Sequence, residues 1–440
     1  MDAINKHGLQ TPNILLPHDN GMLTKWPVVA CDQYTQDKAY WEKAADIVGE
    51  NPSTLHLILP EVYLEDTSKA TRIEKIRATM EKYLSSTVFK KPLLSMIYLE
   101  RKTAYGRTRK GLITCVDLDC YEWRPFSHAK IRATEATIID RIPPRIKIRH
   151  GAQIECPHIM LLVNDPDKSL VEKTGKLSKK SGKELYNIDL MIDAGNITGW
   201  KADNNNSDIQ KNIIASLELI KKNNTDESGT PFMFAVGDGN HSLATAKAIW
   251  DEYKEKKQVQ DHPSRYALVE IVNIYDDGLT FEPIHRVLYN VNQSSLINYI
   301  QEKLAATKTE YSTATELENN IKNSKTSFGF VHTDKNNTCH YTCLETSITD
   351  LAVSILQPLI DDFLKEKTLS KENPRIDYIH GSDEVFRLGE KTNAITILLP
   401  PIAKESFFHT IAHTGPLPRK SFSMGEASEK RFYMECRKLF

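Results

Sequence analysis

The fold of this chain is organised around the stretch Phe232-Met-Phe-Ala-Val-Gly-Asp-Gly-Asn-His-Ser-Leu-Ala-Thr-Ala-Lys247. Its first five residues are an apolar run typical of a buried strand, and Gly237-Asp-Gly239 interrupts that run. Apolar residues then recur at spacings of three and four positions from Leu243 to Tyr253, which is the period of one helix face. The stretch therefore predicts a strand, a tight glycine turn and the start of a helix.

This turn has the chemistry of an anion site. Backbone N–H groups and the positive end of a helix dipole converge at such a position, and glycine lets a ligand approach the backbone closely. The turn is neither a Walker loop nor a dinucleotide fingerprint, because the lysine of the first and the third glycine of the second are absent. The alternative is an ordinary capped connection between a strand and a helix. The predicted phosphate-binding residues here are Gly237, Gly239, Asn240 and Ser242, the predicted catalytic residues are Asp238 and His241, and Asp238 is also the predicted metal ligand.

Composition narrows the class of protein. The chain has 440 residues, 40% of them hydrophobic and 26% charged, as expected for a globular protein of two or three structural units or of one large composite domain. A formal charge of −1 argues against a general electrostatic grip on nucleic acid or on an anionic membrane. The start of the chain lacks the pattern of a signal peptide, and its apolar runs are too short to cross a bilayer. We therefore expect a cytoplasmic protein with no nucleic-acid or membrane partner, and a homo-oligomer is compatible with the sequence.

The seven cysteines are scattered, and neither close pair has C-x-x-C spacing. His340 lies between Cys339 and Cys343, which leaves a zinc site open there. Ordinary reduced thiols are the favoured interpretation for a cytoplasmic chain. Whether Cys31 is more than a buried thiol stays open.

Composition also suggests four regions along the chain. Residues 1–164 are an N-terminal α/β region, and residues 231–290 form a core around the glycine turn. Residues 291–440 are a C-terminal α/β region. Between them, residues 165–230 are rich in Lys, Asn, Asp and Ser, which predicts a polar excursion of surface loops around one helix at 209–220.

A second candidate site is Arg132-Ala-Thr-Glu135. Arginine offers a fork for phosphate, Thr134 a hydroxyl donor, and Glu135 a base or a metal ligand. The alternative is a charged, solvated helix face, and Pro143-Pro144 should end any helix that passes through this region.

Further polar residues follow apolar runs elsewhere. Asp32 lies just past a strand-like run, where α/β proteins tend to hold ligands. His285 and Arg286 sit in an apolar frame, either as a buried, satisfied pair or beside a phosphate site, and Lys420 is a cation that could reach a ligand. His158 is expected to be structural, and Glu429–Arg431 to form a salt-bridged helix.

The glycine turn and four other segments of the chain resemble a known family. The sequence is similar to the bacterial family named domain of unknown function 1015, whose Asp-Gly-His-His-Arg signature reads Asp-Gly-Asn-His-Ser here. If the missing arginine holds phosphate, then Arg132, Arg286 or Lys420 must replace it. The family signature in turn resembles that of ParB/sulfiredoxin-type proteins, which include free-serine kinases. The segments that carry the resemblance, in order from about residue 10 to residue 440, are Asn51–His56, Val236–Lys247, Pro283–Arg286, Ile376–His380 and Pro418–Ser421.

The resemblance implies a mixed α/β protein with a ParB/sulfiredoxin-like core, elaborated by additional mixed-sheet and helical segments. It also implies a kinase that transfers phosphate from ATP or ADP to a small hydroxylated metabolite, with free L-serine as the first guess and Mg²⁺ as cofactor. His241 and Arg286 would stabilise the transferred charge, with His285 beside them, and Glu135 or Asp32 would accept the hydroxyl proton. The predicted substrate-binding residues are Ser53, Thr54 and Thr134. A nucleotide hydrolase and a non-catalytic nucleotide-binding regulator are the alternatives.

Overall fold

The computed structural model describes residues 2–18, 21, 23–135, 142–202, 207–225, 229–367 and 373–439. These residues form two compact units, Met1–Leu279 with Gly425–Phe440, and Thr280–Met424. Both units combine helices with sheets, so the mixed α/β class expected from the sequence is confirmed. The four regions suggested by composition stay predictions.

Twelve helices lie in the described part of the chain. In order they are α1 (Asp2–Asn5), α2 (Lys38–Val48), α3 (Lys69–Leu84), α4 (Ile142–Arg149), α5 (Val171–Ser181), α6 (Ser207–Asn223), α7 (Asn240–Lys257), α8 (Gln293–Leu304), α9 (Ala314–Lys322), α10 (Ala352–Lys367), α11 (Ser382–Gly389) and α12 (Lys404–Thr414).

The strands of the described residues alternate with these helices. They are β1 (Leu9–Gln10), β2 (Asn13–Leu15), β3 (Leu93–Leu94), β4 (Met96–Thr103), β5 (Thr108–Asp117), β6 (Tyr121–Glu122), β7 (Ile131–Ala133), β8 (Ile154–Glu155), β9 (Met160–Val163), β10 (Glu184–Leu190), β11 (Gly195–Ala202), β12 (Phe234–Asp238), β13 (Tyr266–Asn273), β14 (Glu282–Pro283), β15 (His285–Tyr289), β16 (Thr307–Tyr311), β17 (Ser327–Thr333), β18 (Cys339–Glu345), β19 (Arg375–Ile379), β20 (Ala394–Leu398), β21 (Phe422–Ser423) and β22 (Cys436–Lys438).

A ten-stranded sheet forms the centre of the first unit. Its strand order is β10-β11-β4-β5-β13-β9-β12-β7-β6, with β1 paired to β5. The sheet has an apolar core on each face, because successive side chains of a strand point to opposite sides. On β4, Ile97 and Leu99 belong to one core, while Met96 and Tyr98 belong to the other. Burial on both faces explains why β5, β9 and β13 are nearly continuous apolar runs.

The glycine turn lies at the end of β12, which is flanked on both sides in this sheet. The strand pairs in parallel with β7 and antiparallel with β9, so its backbone is fixed on each edge. Helix α7 follows directly after the turn, and Leu243, Ala246 and Trp250 pack into the core on that face. The strand, the turn and the helix predicted from Phe232–Lys247 are thus confirmed.

The expectation of surface loops between residues 165 and 230 is wrong for the described residues. This stretch supplies helix α5, two sheet strands β10 and β11, and helix α6. Helix α5 was missed because its buried face is made of small and polar residues rather than large apolar ones, including Thr174, Gly175 and Ser178. Position 175 must be a glycine, because a Cβ there would lie only 2.3 Å from the ring of Tyr98.

Three other local expectations are corrected. Pro143 and Pro144 do not end a helix but lie in the first turn of α4, where the missing N–H groups have no helical partner to lose. The apolar run between Pro52 and Pro60 predicts a buried strand, but residues 54–57 are a short 3₁₀ helix. Only Glu429 of the expected Glu429–Arg431 helix is helical, as the last residue of a three-residue 3₁₀ turn.

The second unit is built on a six-stranded antiparallel sheet. Its order is β16-β18-β17-β20-β15-β19, and β14 pairs separately with β21. The sequence predicts helices near 295–305, 315–322 and 352–365, and they are present as α8, α9 and α10. Across the described residues of both units, no helix combines the length and the apolar character needed to cross a membrane.

Candidate functional site

The backbone at the end of β12 turns sharply at Gly239. This residue has φ +81 and precedes the first residue of α7, and its N–H donates to Oδ1 of Asp238 at 2.9 Å. A Cβ at position 239 would lie 3.0 Å from Cγ1 and 3.1 Å from Cα of Ile159. Both the backbone angle and the close packing therefore require glycine.

Asp238 has a cationic partner from the end of the chain. Nζ of Lys430 lies 3.4 Å from Oδ2 of Asp238, and the two side chains are only 13% and 19% exposed. An ion pair this sheltered is weakly screened by salt, so it keeps a strong local field at the start of α7.

Asp32 and His158 form a second charged pair beside this one. Nε2 of His158 lies 3.4 Å from Oδ2 of Asp32 and 3.2 Å from Oγ of Ser242, the third residue of α7. Gln33 also donates its side-chain N–H to Oδ1 of Asp32 at 2.9 Å. The pair thus brings the segment after the first apolar runs to the N-terminal turn of α7.

Electrostatics favour the charged form of both partners. Burial alone would raise the pKa of Asp32, but the charge and hydrogen bond of His158, together with Lys430, outweigh it and lower the pKa. Burial likewise opposes the charge of His158, but Asp32 and, more weakly, Asp238 outweigh it and raise the pKa. These shifts show that Asp32, His158, Asp238 and Lys430 form one electrostatic cluster, called the charged cluster below.

Tyr433 holds the other side of the imidazole. Its hydroxyl lies 2.8 Å from Nδ1 of His158 and accepts the backbone N–H of Cys31 at 3.0 Å. Burial raises the pKa of Tyr433 well above its usual range, so the phenol keeps its proton. With one ring nitrogen facing Tyr433 and the other facing Asp32, the orientation of His158 is fixed.

A cleft of about 140 Å³ opens next to His158, Ser242 and Tyr433. Its lining is mostly apolar and includes two ion pairs, Arg145 with Glu61 and Arg149 with Glu155. The apolar lining residues are Leu57, Ile58, Leu59, Leu64, Ile76, Met80, Ile148, Ala152, Ile154 and Ile159.

Comparison with known proteins places the chain in a family. A family model described as a protein of unknown function, DUF1015, matches residues 15–361. The chain belongs to the DUF1015 family. No curated protein sequence gives a significant match.

Solved structures similar to this DUF1015 protein are distant. A free serine kinase variant in complex with AMP is 11% identical, with a TM-score of 0.38, and the match covers 74% of this chain and 92% of the kinase. A conserved hypothetical protein from Pyrococcus furiosus is 11% identical over 74% of this chain and 97% of its own, with a TM-score of 0.35. SbnI from Staphylococcus aureus, truncated at its C-terminus, is 9% identical over 73% and 85%, with a TM-score of 0.33.

Two hydrogen bonds of Thr134, which directly follows β7, connect that strand to the turn. The backbone N–H of Thr134 donates to Oδ1 of Asn240 at 3.3 Å, and the Thr134 hydroxyl donates to the carbonyl of Val236 at 2.5 Å. Thr134 is fully buried, so its hydroxyl stabilises the turn through the hydrogen bond to Val236. His241 is half-buried in the first turn of α7, and Glu135 is half-buried just after β7.

Arg132 is turned into the protein rather than toward the turn. Its side chain is buried, its Nε donates to the carbonyl of Ala129 at 2.8 Å, and its guanidinium lies 4.5 Å from the ring centre of Phe232. The phosphate-binding role of Arg132 stays a prediction.

Ser53 and Thr54 are also interior residues. Both side chains are fully buried, and both hydroxyls donate to the carbonyl of Trp26, at 3.0 and 2.8 Å. Ser53 additionally caps the 3₁₀ helix by accepting the N–H of Leu55. The assignment of Ser53 and Thr54 as substrate-binding residues stays a prediction.

His285, Arg286 and Lys420 belong to the second unit. Arg286 is fully buried, with Nε donating to Gln357 at 3.0 Å and Nη1 to the carbonyl of Lys420 at 3.0 Å. Burial, with the charge of Arg286, lowers the pKa of His285 to about 4, so this histidine is neutral near pH 7. These contacts are compatible with the buried-pair alternative, and the phosphate-binding roles of His285, Arg286 and Lys420 stay predictions.

The described residues contain no group of three or more His, Cys, Asp or Glu side chains arranged to hold a metal ion. Magnesium needs less from a protein than that, since one or two carboxylates usually suffice when phosphate oxygens complete its shell. Asp238 meets this minimal requirement, although Lys430 now neutralises it. The assignment of Asp238 as a Mg²⁺ ligand stays a prediction.

Sequence reasoning did not predict a place in the site for two members of the charged cluster, His158 and Lys430, or for Tyr433, which contacts His158. His158 was taken as structural, Lys430 was placed on a salt-bridged helix, and Tyr433 was not singled out. Local sequence gave little signal, because Lys430 and Tyr433 lie almost two hundred positions beyond Asp238. Only the return of Gly425–Phe440 to the first unit brings them there.

Proposed function

We propose that this protein is a nucleotide-dependent phosphotransferase that moves a phosphoryl group from ATP or ADP to a hydroxyl of a small metabolite. One observation carries the proposal: the charged cluster meets the N-terminus of the eighteen-residue helix α7 at a turn that must be glycine. Phosphoryl transfer depends mainly on positioning and on neutralising charge, and this arrangement offers both.

The donor phosphates would lie against the Gly239 turn. The backbone N–H groups and the dipole of α7 favour an anion there, and Lys430 supplies a nearby positive charge. Lys430 can contact a phosphate oxygen without leaving Asp238, because an ammonium has three donors. A Mg²⁺ ion held by Asp238 would neutralise charge on the phosphates when bound.

Asp32 would accept the proton of the acceptor hydroxyl. The hydroxyl oxygen forms the bond to the transferred phosphorus, the bond from phosphorus to the bridging oxygen breaks, and the shortened nucleotide leaves. Asp32 suits this role because His158 keeps it ionised and the imidazole is itself held by Tyr433. Glu135 remains the second candidate base, but Asp32 is preferred because it belongs to the charged cluster.

The test is a turnover screen with a matched control. The protein is incubated with Mg²⁺, ATP or ADP, and a pool of amino acids and sugars that includes L-serine, and products are followed by ³¹P NMR and mass spectrometry. A new phosphorylated metabolite supports the proposal. Release of phosphate alone points to a hydrolase, and thermal stabilisation by nucleotide without turnover points to a regulator.

Two variants tie the reaction to the turn. Asp238→Asn should lower turnover at least a hundredfold, because it removes the carboxylate but keeps the shape. Asp251→Asn removes a carboxylate from helix α7, where Asp251 is half exposed and paired with Lys247, and should leave turnover unchanged. Equal turnover in the two variants would remove the turn from the mechanism.

A further inference from the structure

Two cysteine side chains are in contact next to the charged cluster. Sγ of Cys156 lies 3.2 Å from Sγ of Cys436. Cys436 is the first residue of β22 and Cys156 directly follows β8, and these two strands pair antiparallel with Arg437 opposite Glu155. Continuing that register by one residue sets Cys436 directly opposite Cys156, as cross-strand neighbours.

We propose that Cys156 and Cys436 are a redox-sensitive dithiol that a peroxide converts into an intramolecular disulfide. The thiolate of Cys156 attacks one peroxide oxygen, the O–O bond breaks, and a sulfenic acid and water form. Cys436 then attacks the sulfenic sulfur, and the S–S bond forms as a second water leaves. In sum, two thiols are oxidised, one hydrogen peroxide is reduced, and two waters are released.

Exposure decides which sulfur reacts first. Cys156 is only half-buried and lines the cleft beside His158, so a small oxidant can reach it. Cys436 is fully buried, and burial raises its pKa well above the usual range, so it is shielded from the oxidant. Cys436 therefore acts as the resolving thiol. It needs no access from solvent for this, because Cys156 is already in contact with it.

The geometry asks for little movement. A disulfide needs its sulfurs about 2.05 Å apart, so the two sulfurs must approach by roughly 1 Å. Directly opposed residues on paired strands have Cβ atoms close to the separation that a disulfide requires. The chain path between them is long, and closing a long loop restricts the unfolded chain strongly.

The link would form at the base of the charged cluster. Cys156 lies two residues before His158, and Cys436 lies three residues after Tyr433. The side chains of His158 and Tyr433 are themselves hydrogen-bonded at 2.8 Å. Oxidation would thus join the two segments that supply this pair, whether or not the protein transfers phosphate.

The experiment uses the full chain treated with a small excess of hydrogen peroxide and then blocked at its remaining thiols. The expected product is a monomer with two fewer thiols open to blocking than the reduced protein, and with a linked Cys156–Cys436 peptide in the digest. Its thermal midpoint should be several degrees higher than that of the reduced protein, and dithiothreitol should restore the starting value.

Variants make the result specific. Cys156→Ser should abolish the link and the thermal shift, while its reduced form keeps the midpoint of the wild type. Cys115→Ser removes another buried thiol of the same unit and should change neither. A peroxide-treated wild type with no Cys156–Cys436 peptide, or with Cys156 only as sulfinic acid or in a link between chains, would overturn the proposal.

Discussion

Nζ of Lys430 lies 3.4 Å from Oδ2 of Asp238, and both side chains are more than four-fifths buried. The pair joins the C-terminal segment to the turn after β12. The charge at the start of α7 therefore depends on both chain segments that form the first unit.

Replacing Lys430 with Met should weaken nucleotide binding about tenfold or more. Loss of one charged contact to phosphate costs on the order of 1.4 kcal/mol, which is a factor of ten in the dissociation constant. Calorimetric titration with ATP and ADP measures the change. The control is Lys256→Met, which removes a lysine that is 70% exposed and paired only with Glu252 on the helix surface. Equal affinities in both variants would show that Lys430 does not contact the nucleotide.

Replacing Gly239 with Ala should destabilise the first unit by about 2 to 4 kcal/mol. The added Cβ meets Ile159 and the backbone angle is unfavourable for any other residue. Gly182→Ala is the matched control, because Gly182 also has positive φ, +72, but nothing lies within 4 Å of its added Cβ. Urea unfolding of both variants separates the contact from the backbone cost. A loss no greater at 239 than at 182 would mean that Ile159 gives way freely.

Replacing Asp32 with Asn should lower the pKa of His158. In the wild type this pKa is raised chiefly because the charge of Asp32 outweighs burial, so without the carboxylate burial dominates. NMR titration of the ring protons measures the change, with His158→Gln used to assign the signal. Since the folded pKa of His158 is raised, its stabilising effect should be complete below about pH 6.5 and lost as pH rises through the folded value. An unchanged titration in the variant would show that the two groups are not coupled.

Replacing Glu155 with Gln should destabilise the protein at pH 7 by about 3 kcal/mol. This buried carboxylate accepts two hydrogen bonds from Arg437, at 2.8 and 3.0 Å, and pairs with Arg149. Burial opposes its charge, but the two arginines outweigh it and lower the pKa of Glu155 to about 2. Breaking such a pair leaves uncompensated charge inside the protein.

The pH dependence gives the sign of this effect. A lowered pKa adds stability that is present above the unfolded value of about 4.5 and is lost as pH falls toward 2. The gap between wild type and Glu155→Gln in chemical unfolding should therefore shrink over that range. Glu252→Gln, at an exposed helix pair, should show only a small gap at any pH. A constant gap for Glu155→Gln would contradict the assigned pKa.

Elements with strong local patterns can be predicted from the sequence. The apolar run before Gly237, the helical spacing after it, and the amphipathic helices α2, α3 and α10 all follow from residues close together in the chain. It failed where the local pattern is weak. Helix α5 hides its buried face in small residues packed against Tyr98, and the prolines of α4 lie at a start that only the structure reveals.

The charged cluster shows the same division more sharply. Asp238, Ser242 and Asp32 could be singled out from sequence, because polar residues after apolar runs mark the ends of strands. Their partners could not, since Lys430 and Tyr433 approach them only when the last residues of the chain return to the first unit. The local order of residues sets backbone preferences over a few positions, whereas ion pairs and buried hydrogen bonds depend on which distant segments pack together. The sequence therefore determined the turn, and the tertiary structure decided which charges surround it.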